Sequence, residues 1–369
     1  MKIFYITDIC ITGYSGKEKG TRTKIDCLKK KLGKNFIYFS PKYKINNSII
    51  NLLYLLLNDL ILCLRIVLFN RNYIFIERSS RLVITNYIIR LFEFPVFSEV
   101  HADVEEEISL LDKPLYQKLL IQFLWKINLW NYSKNLGIFY NHPYVQNHFS
   151  KKITCPSIAV YNGAATDEYY PMNKNECRKT FNIDVEKIIF IFIGSGSKWH
   201  GLDYLISIFN SQNMRNRNDI KLLVVGPSVQ RVNSIKESVK GNNIIFINEV
   251  DNSKAVKLIN ASDICLLPVK NNRISPGSPI KLYDYAACGK AIIAQQKLHG
   301  YFDEVLNHNL GIVVDFSEAK EASDTLLNFI DNYDPNFYMK NNRWMAENRI
   351  NVNNRIDSWL EFITSIIYG

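Results

Sequence analysis

The feature that most constrains this chain is a series of short apolar runs, each ending in polar or glycine-rich residues, that is played through once and then starts again. The first series is "MKIFYIT" (1–7), "FIYFS" (36–40), "YIFIER" (73–78), "VFSEV" (96–100), "LGIFY" (136–140) and "SIAVY" (157–161). The second is "KIIFIFIGSGS" (187–197), "IKLLVVGPS" (220–228), "NIIFIN" (243–248), "DICLLPV" (263–269), "KAIIAQ" (290–295) and "GIVVDF" (311–316). Helical patterns separate most of the runs. Short, continuously apolar runs suit strands covered on both faces, and strands alternating with helices predict parallel, doubly wound sheets. Between the series lies "YNGAATDEYYPMNKNECRKTFNID", polar and turn-rich, which reads as a linker. The expected fold class is α/β with two Rossmann-like domains, over 1–170 and 171–350, and a terminal helix over 351–369 packing back on the first. Ligands of such sheets bind beyond the carboxyl ends of the strands, so two of them predict a cleft lined by loops from both sides.

A length of 369 residues agrees with about two domains. The seven cysteines are scattered without C-x-x-C spacing and read as reduced, buried small side chains. "IFYI" after Met1-Lys2 is too short for a signal-peptide core, and the expectation is a cytoplasmic protein, peripheral at most to a membrane. The most apolar stretch, 48–69, is interrupted by Asn51, Asn58, Asp59 and Arg65 and reads as a largely buried helix. A net charge of +10 favours anionic partners such as nucleotides, phosphorylated lipids or an acidic membrane face. No zinc-finger, RNA-binding sheet motif or long basic helix accompanies it, so nucleic acid is not expected.

The segment "SPGSPIKLYDYAACGKAIIA" (275–294) carries the most chemistry. Ser278 suits an N-cap, Pro279 the first helical position and Gly289 a left-handed helix end. A helix start is an anion site, and Lys281 and Asp284, one turn apart, share a face there. Asp284 lies about 7–8 Å into the helix, the distance from a diphosphate to its ribose. An ordinary surface ion pair would give the same spacing.

Three segments, in order and in register, resemble the retaining glycosyltransferases of family 4, which have the two-domain GT-B fold. "SPIKLYDYAACGKAIIA" is similar to the family's P-x-K-x-x-E-x-x-A-x-G-K-P-V-I-A, "VYNGAATDEYYP" (160–171) to its I-P-N-G-V-D-x-x-x-F-x-P, and "FIGSGSKWHGLDYLI" (192–206) to its G-R-x-x-x-x-K-G-x-x-x-L-I. The resemblance implies transfer of a sugar from a nucleotide diphosphate sugar, a UDP-sugar foremost, with retention and without an essential metal or separate cofactor. It places Asp284 on the ribose, an Asp where Glu is usual, and Glu249 and Val250 at the base. The family's acidic position eight residues before Asp284 holds Pro276, so the donor sugar falls to backbone around Gly277, Ser278 and Ile280. The family's phosphate-binding Arg and Lys fall on Ser195 and His200, while Gly194 and Gly201 keep their places. Lys198 and Lys281 then become the candidate phosphate cations.

In the amino-terminal half the resemblance singles out His101, after a strand, as a contact of the donor sugar. Gly13, Gly16 and Gly20 fall near the donor phosphate or acceptor, Arg22 and Arg78 are candidate acceptor contacts, and Asn162 and Gly163 shape the junction. Asp103 and Glu105 read as a solvated helix start rather than a metal motif. The segment 115–135 mixes lysines with leucine, phenylalanine and tryptophan and suits a helix at an anionic membrane surface as well as it suits a core-facing one. With the positive charge, this makes a lipid-diphosphate-linked glycan the expected acceptor, in assembly of a surface polysaccharide such as O-antigen or capsule. The rival expectations are a nucleotide-sugar epimerase or hydrolase of the same fold, and a non-catalytic glycan- or nucleotide-binding subunit. A dinucleotide oxidoreductase fits poorly, because "GYSGKEKG" lacks the G-x-G-x-x-G spacing.

Overall fold

The computed structural model describes residues 1–13, 15–43, 45, 48–69, 72–78, 81–101, 114–270 and 277–369, apart from the side chains of residues 48, 49, 52, 69 and 198. Asp103, Glu105 and Pro276 lie outside the described residues. The chain forms two compact units: Met1–Gly13, Lys17–Tyr161 and Val352–Gly369 belong to one, and the other is built on Asn162–Asn351.

The first unit runs β1 (Ile3–Thr7), α1 (Gly16–Leu32), β2 (Phe36–Phe39), α2 (Ser48–Phe69), β3 (Ile74–Arg78), α3 (Val83–Leu91), β4 (Val96–Val100), α4 (Leu115–Tyr132), β5 (Gly137–Tyr140), α5 (Pro143–Ser150) and β6 (Ser157–Ala159). Its strands are parallel in the order β2-β1-β3-β4-β5-β6, and Ile3 is in register with both Phe36 and Ile74. Side chains alternate across the sheet, so β1 serves two cores. Ile3 and Tyr5 pack with Ile25 and Leu28 of α1, while Phe4 and Ile6 pack with Leu62 and Ile66 of α2. Asp59, one of the polar interruptions in the apolar stretch, is buried and accepts the Ile84 and Thr85 amides at 2.9 and 2.8 Å. It thereby caps the start of α3, whose own preceding residue, Leu82, has no side chain able to do so.

The second unit runs α6 (Lys174–Thr180), β7 (Ile188–Ile193), α7 (Leu202–Phe209), α8 (Gln212–Asn216), β8 (Ile220–Val225), α9 (Val229–Lys236), β9 (Ile244–Ile247), α10 (Asn252–Ala261), β10 (Ile264–Leu267), α11 (Ile280–Ala287), β11 (Ala291–Gln295), α12 (Phe302–Asn307), β12 (Gly311–Val314), α13 (Ala319–Asp331) and α14 (Pro335–Asn348). All pairings are again parallel, in the order β12-β11-β10-β7-β8-β9. The core joins Phe190 and Phe192 of β7 to Leu205 of α7 and Leu326 of α13. The polar stretch read as a linker carries α6, whose fully buried Arg178 donates to Asp263 and to the Ala261, Asp184 and Val185 carbonyls. A buried guanidinium with every edge bonded fixes that stretch to α10 and β10.

The last helix, α15 (Val352–Tyr368), belongs to the first unit and lays Trp359 on Phe139, with ring centroids 4.5 Å apart. No helix among the described residues is long and apolar enough to cross a membrane. None of the seven cysteines forms a disulfide.

Candidate active site

In the second sheet the strand order turns back on itself between β7 and β10. Chains leaving two neighbouring parallel strands in opposite directions open a crevice at their carboxyl ends. Gly194 leaves β7 at that point, and α11 follows β10. The Lys281 ammonium lies 4.6 Å from the centre of the Phe192 ring, a cation–π contact. A methyl group built on Gly194 would come within 3.0 Å of that ammonium and 3.7 Å of the His200 ring. The motif glycine thus leaves room for a charge and an imidazole to crowd the end of β7. Tyr285 closes the arrangement from below, its hydroxyl accepting the Ile193 amide at 3.1 Å.

Asp284 sits on α11 one turn beyond Lys281 and is buried. Its helix ends as the sequence predicts: Gly289 has φ +68°, its amide bonds the Ala286 carbonyl, and the Lys290 amide bonds that of Tyr285. Those two bonds are the Schellman pair. The helix start is a correction. Pro279, not Ser278, occupies the position before the helix, and no side chain caps it. The buried Ser278 hydroxyl instead accepts the Asn162 amide at 2.8 Å and meets the Tyr283 hydroxyl at 2.8 Å, which in turn donates to Glu304 at 3.1 Å. The Asn162 side chain returns a bond to the Ser278 carbonyl at 2.6 Å. Ser278 therefore ties the start of the unit to α11. With its hydroxyl so engaged, it reaches a ligand only through its backbone.

The loop after β7 is held from three sides. Arg231 of α9 donates to the Gly196 carbonyl and to Asp203, which also pairs with Lys270 at 2.9 Å. Burial opposes ionisation of Asp203, but Lys270 and Arg231 outweigh it and hold its carboxyl below the usual range. Gly201 turns at φ +63° against Pro268 and the Val269 amide. Gly201→Ala is expected to cost about 1–2 kcal/mol, from a left-handed backbone at a site with no slack, and urea unfolding of the purified protein would measure it. Ser195 is exposed and its hydroxyl meets that of Ser197 at 2.8 Å. Lys198 lies in the turn before His200, with its side chain outside the described atoms. Gly277 is half-buried and Ile280 opens α11. Glu249, exposed, and Val250 follow β9 at the sheet edge, just before Asp251 caps α10. These two follow the strand that lies two places from β7 in the sheet.

In the first unit the sequence-predicted His101 belongs to a buried charged cluster that sequence reasoning missed. Glu99 at the end of β4 contacts His101 and Lys24, accepts the Tyr5 hydroxyl at 2.6 Å, and has Arg78 at 3.7 Å. The Lys24 ammonium is also 3.2 Å from His101 Nε2. Burial disfavours the Glu99 carboxylate, but Lys24, His101 and Arg78 overcome that and hold it well below the ordinary range. For His101, burial together with Arg78 and Lys24 pulls the imidazole down to about 3, so it is neutral at physiological pH. Burial likewise pulls Lys24 down to about 8. Arg78 and Arg22, the candidate acceptor contacts, both have partners within the protein. Arg78 donates to Thr21 at 2.7 Å, and Arg22 donates to the Ile11 and Gly13 carbonyls, which shapes the loop after β1. Gly13 has no room for a Cβ beside the Glu18 carboxylate, whereas one on Gly16 would meet open space, and Gly20 is buried inside α1.

The Glycosyl transferases group 1 family model matches residues 173–348, most of the second unit and a little under half of the chain. Among curated proteins the chain is 27% identical over 148 residues to the uncharacterized glycosyltransferase MJ1069 of Methanocaldococcus jannaschii, a match covering 40% of this chain and 37% of that protein. The chain therefore matches little more than a third of that relative's length. Among solved structures, a sucrose-phosphate synthase from Thermosynechococcus elongatus superposes with a TM-score of 0.78 at 13% identity, over 99% of this chain and 100% of that one. Alr3699/HepE of Anabaena, solved in complex with UDP-glucose, does so with a TM-score of 0.72 at 15% identity, over 99% and 100%. At these identities the likeness is one of fold: two Rossmann-like parallel-sheet domains of the GT-B class. The family match thus concerns the second unit, and the likeness over the whole chain is one of fold.

Proposed function

We propose that this chain is a retaining glycosyltransferase that moves a sugar from a nucleotide diphosphate sugar, with UDP as the nucleotide, to a glycan carried on a lipid diphosphate, in assembly of a surface polysaccharide. The observation that carries the reading is the pairing of the Lys281 ammonium beside Gly194 with Asp284 one turn deeper, at the crevice of the unit that the family model matches. The UDP-glucose complex of the Anabaena protein supports the nucleotide.

In this reading the donor diphosphate lies at the start of α11, where the backbone of Gly277, Ser278 and Ile280 and the ammonium of Lys281 offset its charge, with Lys198 as a second cation. Asp284 accepts hydrogen bonds from the ribose hydroxyls, and the Glu249–Val250 backbone meets the base. The bond between the anomeric carbon and the diphosphate oxygen breaks as the acceptor oxygen bonds to the same face of that carbon. The acceptor's proton passes to the departing phosphate. Charge builds on the diphosphate in the transition state, so fixed positive groups there do most for the rate.

Incubation with UDP-sugars and a lipid-diphosphate-linked glycan should yield a product whose new linkage keeps the donor's anomeric configuration by NMR. An inverted linkage would overturn retention, equal donor consumption without acceptor would indicate a hydrolase, and failure of UDP to raise the melting temperature would remove the donor site. Asp284→Asn is expected to raise KM for the donor about ten- to a hundredfold, the worth of hydrogen bonds to a charged group, with kcat little changed in steady-state assays.

A further inference from the structure

The helix read from sequence as largely buried has two apolar faces, and only one is covered. Leu55, Asp59, Leu62 and Ile66 of α2 face the sheet and α3. Opposite them, Leu53, Leu57, Leu60, Leu64 and Leu68 form a stripe at helical spacing, and they are 61, 58, 49, 56 and 65% exposed. The surface continues across the neighbouring helices. Ile84, Tyr87 and Leu91 of α3 are exposed, and Tyr87 stacks on the exposed Trp130 of α4 with centroids 6.2 Å apart. Leu115, Leu119 and Phe123 of α4 extend it further. More than half of the large apolar side chains exposed among the described residues belong to these three helices. Scattered exposed leucines are ordinary, whereas a contiguous patch of this extent marks an interaction site.

We infer that this face of the first unit docks on the headgroup–acyl boundary of an anionic lipid bilayer. Deepening the proposed function and resting on it, the docking surface brings the enzyme to an acceptor whose lipid cannot leave the membrane. The charges choose the occupant. Neither α3 nor α4 contains an acidic residue, and the single acid of α2, Asp59, is buried as a cap. Lys126 is exposed on α4. An anionic bilayer answers that cation, whereas a second copy of this face would set it against a like charge with no exposed acid on these helices to pair it. Tyr87 and Trp130 are the residue types that favour the boundary between headgroups and acyl chains. With its inner face packed on the sheet, α2 lies along the surface rather than across the membrane.

The test uses the full chain and vesicles of phosphatidylcholine with roughly one-third phosphatidylglycerol, against pure phosphatidylcholine. Wild type should sediment with the anionic vesicles. The variant Leu57→Glu/Leu60→Glu/Leu64→Glu, altered only at exposed positions, should partition at least about tenfold less and keep its circular dichroism. Wild type remaining in the supernatant, or equal partitioning of the variant, would overturn the inference. So would a wild-type dimer that the same variant dissociates, seen by light scattering, since it would make a second copy the occupant. The UDP-induced melting shift, measured on both proteins, separates this from the donor reading. A kept shift with no vesicle binding sinks the docking surface alone, and vesicle binding without a shift sinks the donor site alone.

Discussion

Lys281→Met is expected to lower kcat for sugar transfer by about 10²–10³-fold, the usual loss when one preorganised electrostatic contact to developing charge is removed. Methionine keeps most of the side chain's length and can still lie on the Phe192 ring, so packing at the end of β7 should survive. The charge alone disappears. Lys281 is held by that ring and by the space over Gly194, so its ammonium does not have to be ordered when the diphosphate departs. Because the charge on the leaving group grows in the transition state, kcat should fall much more than donor KM rises. Lys281→Arg restores charge but needs room for a planar fork beside His200, and it should recover only part of the rate. Steady-state kinetics of the three proteins decide the matter, with UDP melting shifts to confirm that the nucleotide still binds. If Lys281→Met retained full kcat, the cation would belong to the architecture of α11 and the phosphate assignment would pass to other groups.

How much of this was legible depends on how local each signal is. The strands of both sheets could be read because parallel strands are buried on both faces and leave unbroken apolar runs such as "IIFIFI" of β7. The end of α11 could be read at Gly289, where the chain itself demands a left-handed residue. Its start could not, because Ser278 spends its hydroxyl on Asn162, 116 positions earlier, and no local rule anticipates that bond. The mistaken burial of α2 has a similar origin. A helix apolar all round shows its composition, but only the sheet determines which stripe is covered. The Glu99 cluster gathers Tyr5, Lys24, Arg78 and His101 from β1, α1, β3 and the end of β4, and each alone resembles an ordinary residue of its element. The resemblance pointed to His101 and was silent on the carboxylate that holds it.

That cluster should make the first unit sensitive to acid and intolerant of losing Lys24. Glu99 has its folded pKa depressed, so its stabilisation is complete above the unfolded value near 4.5 and is lost as pH falls through the lower folded value. His101 acts in the same direction by another route. Its pKa falls from 6.5 unfolded to about 3 folded, so between those values the unfolded chain takes up a proton that the folded unit refuses. Stability should therefore decline as pH falls below 6.5, through His101 as well as Glu99. Lys24 has the opposite signature, since a pKa lowered to about 8 makes the folded unit gain stability as pH rises from there to 10.5. It nevertheless neutralises Glu99, and both side chains are under a tenth exposed. Lys24→Met leaves a buried carboxylate short of one partner and should cost about 3 kcal/mol at pH 7. Adding Glu99→Gln removes the unmatched charge and should restore much of that loss, a coupling that a double-mutant cycle would measure. Hydrogen exchange of the β1 and β4 amides at pH 7 and pH 5 reads the first unit without contribution from the second. His101→Gln should flatten the decline between those two values. An undiminished decline in that variant would show that the acid sensitivity arises elsewhere, and a Lys24→Met protein as stable as wild type would mean that Arg78 and His101 suffice to hold Glu99.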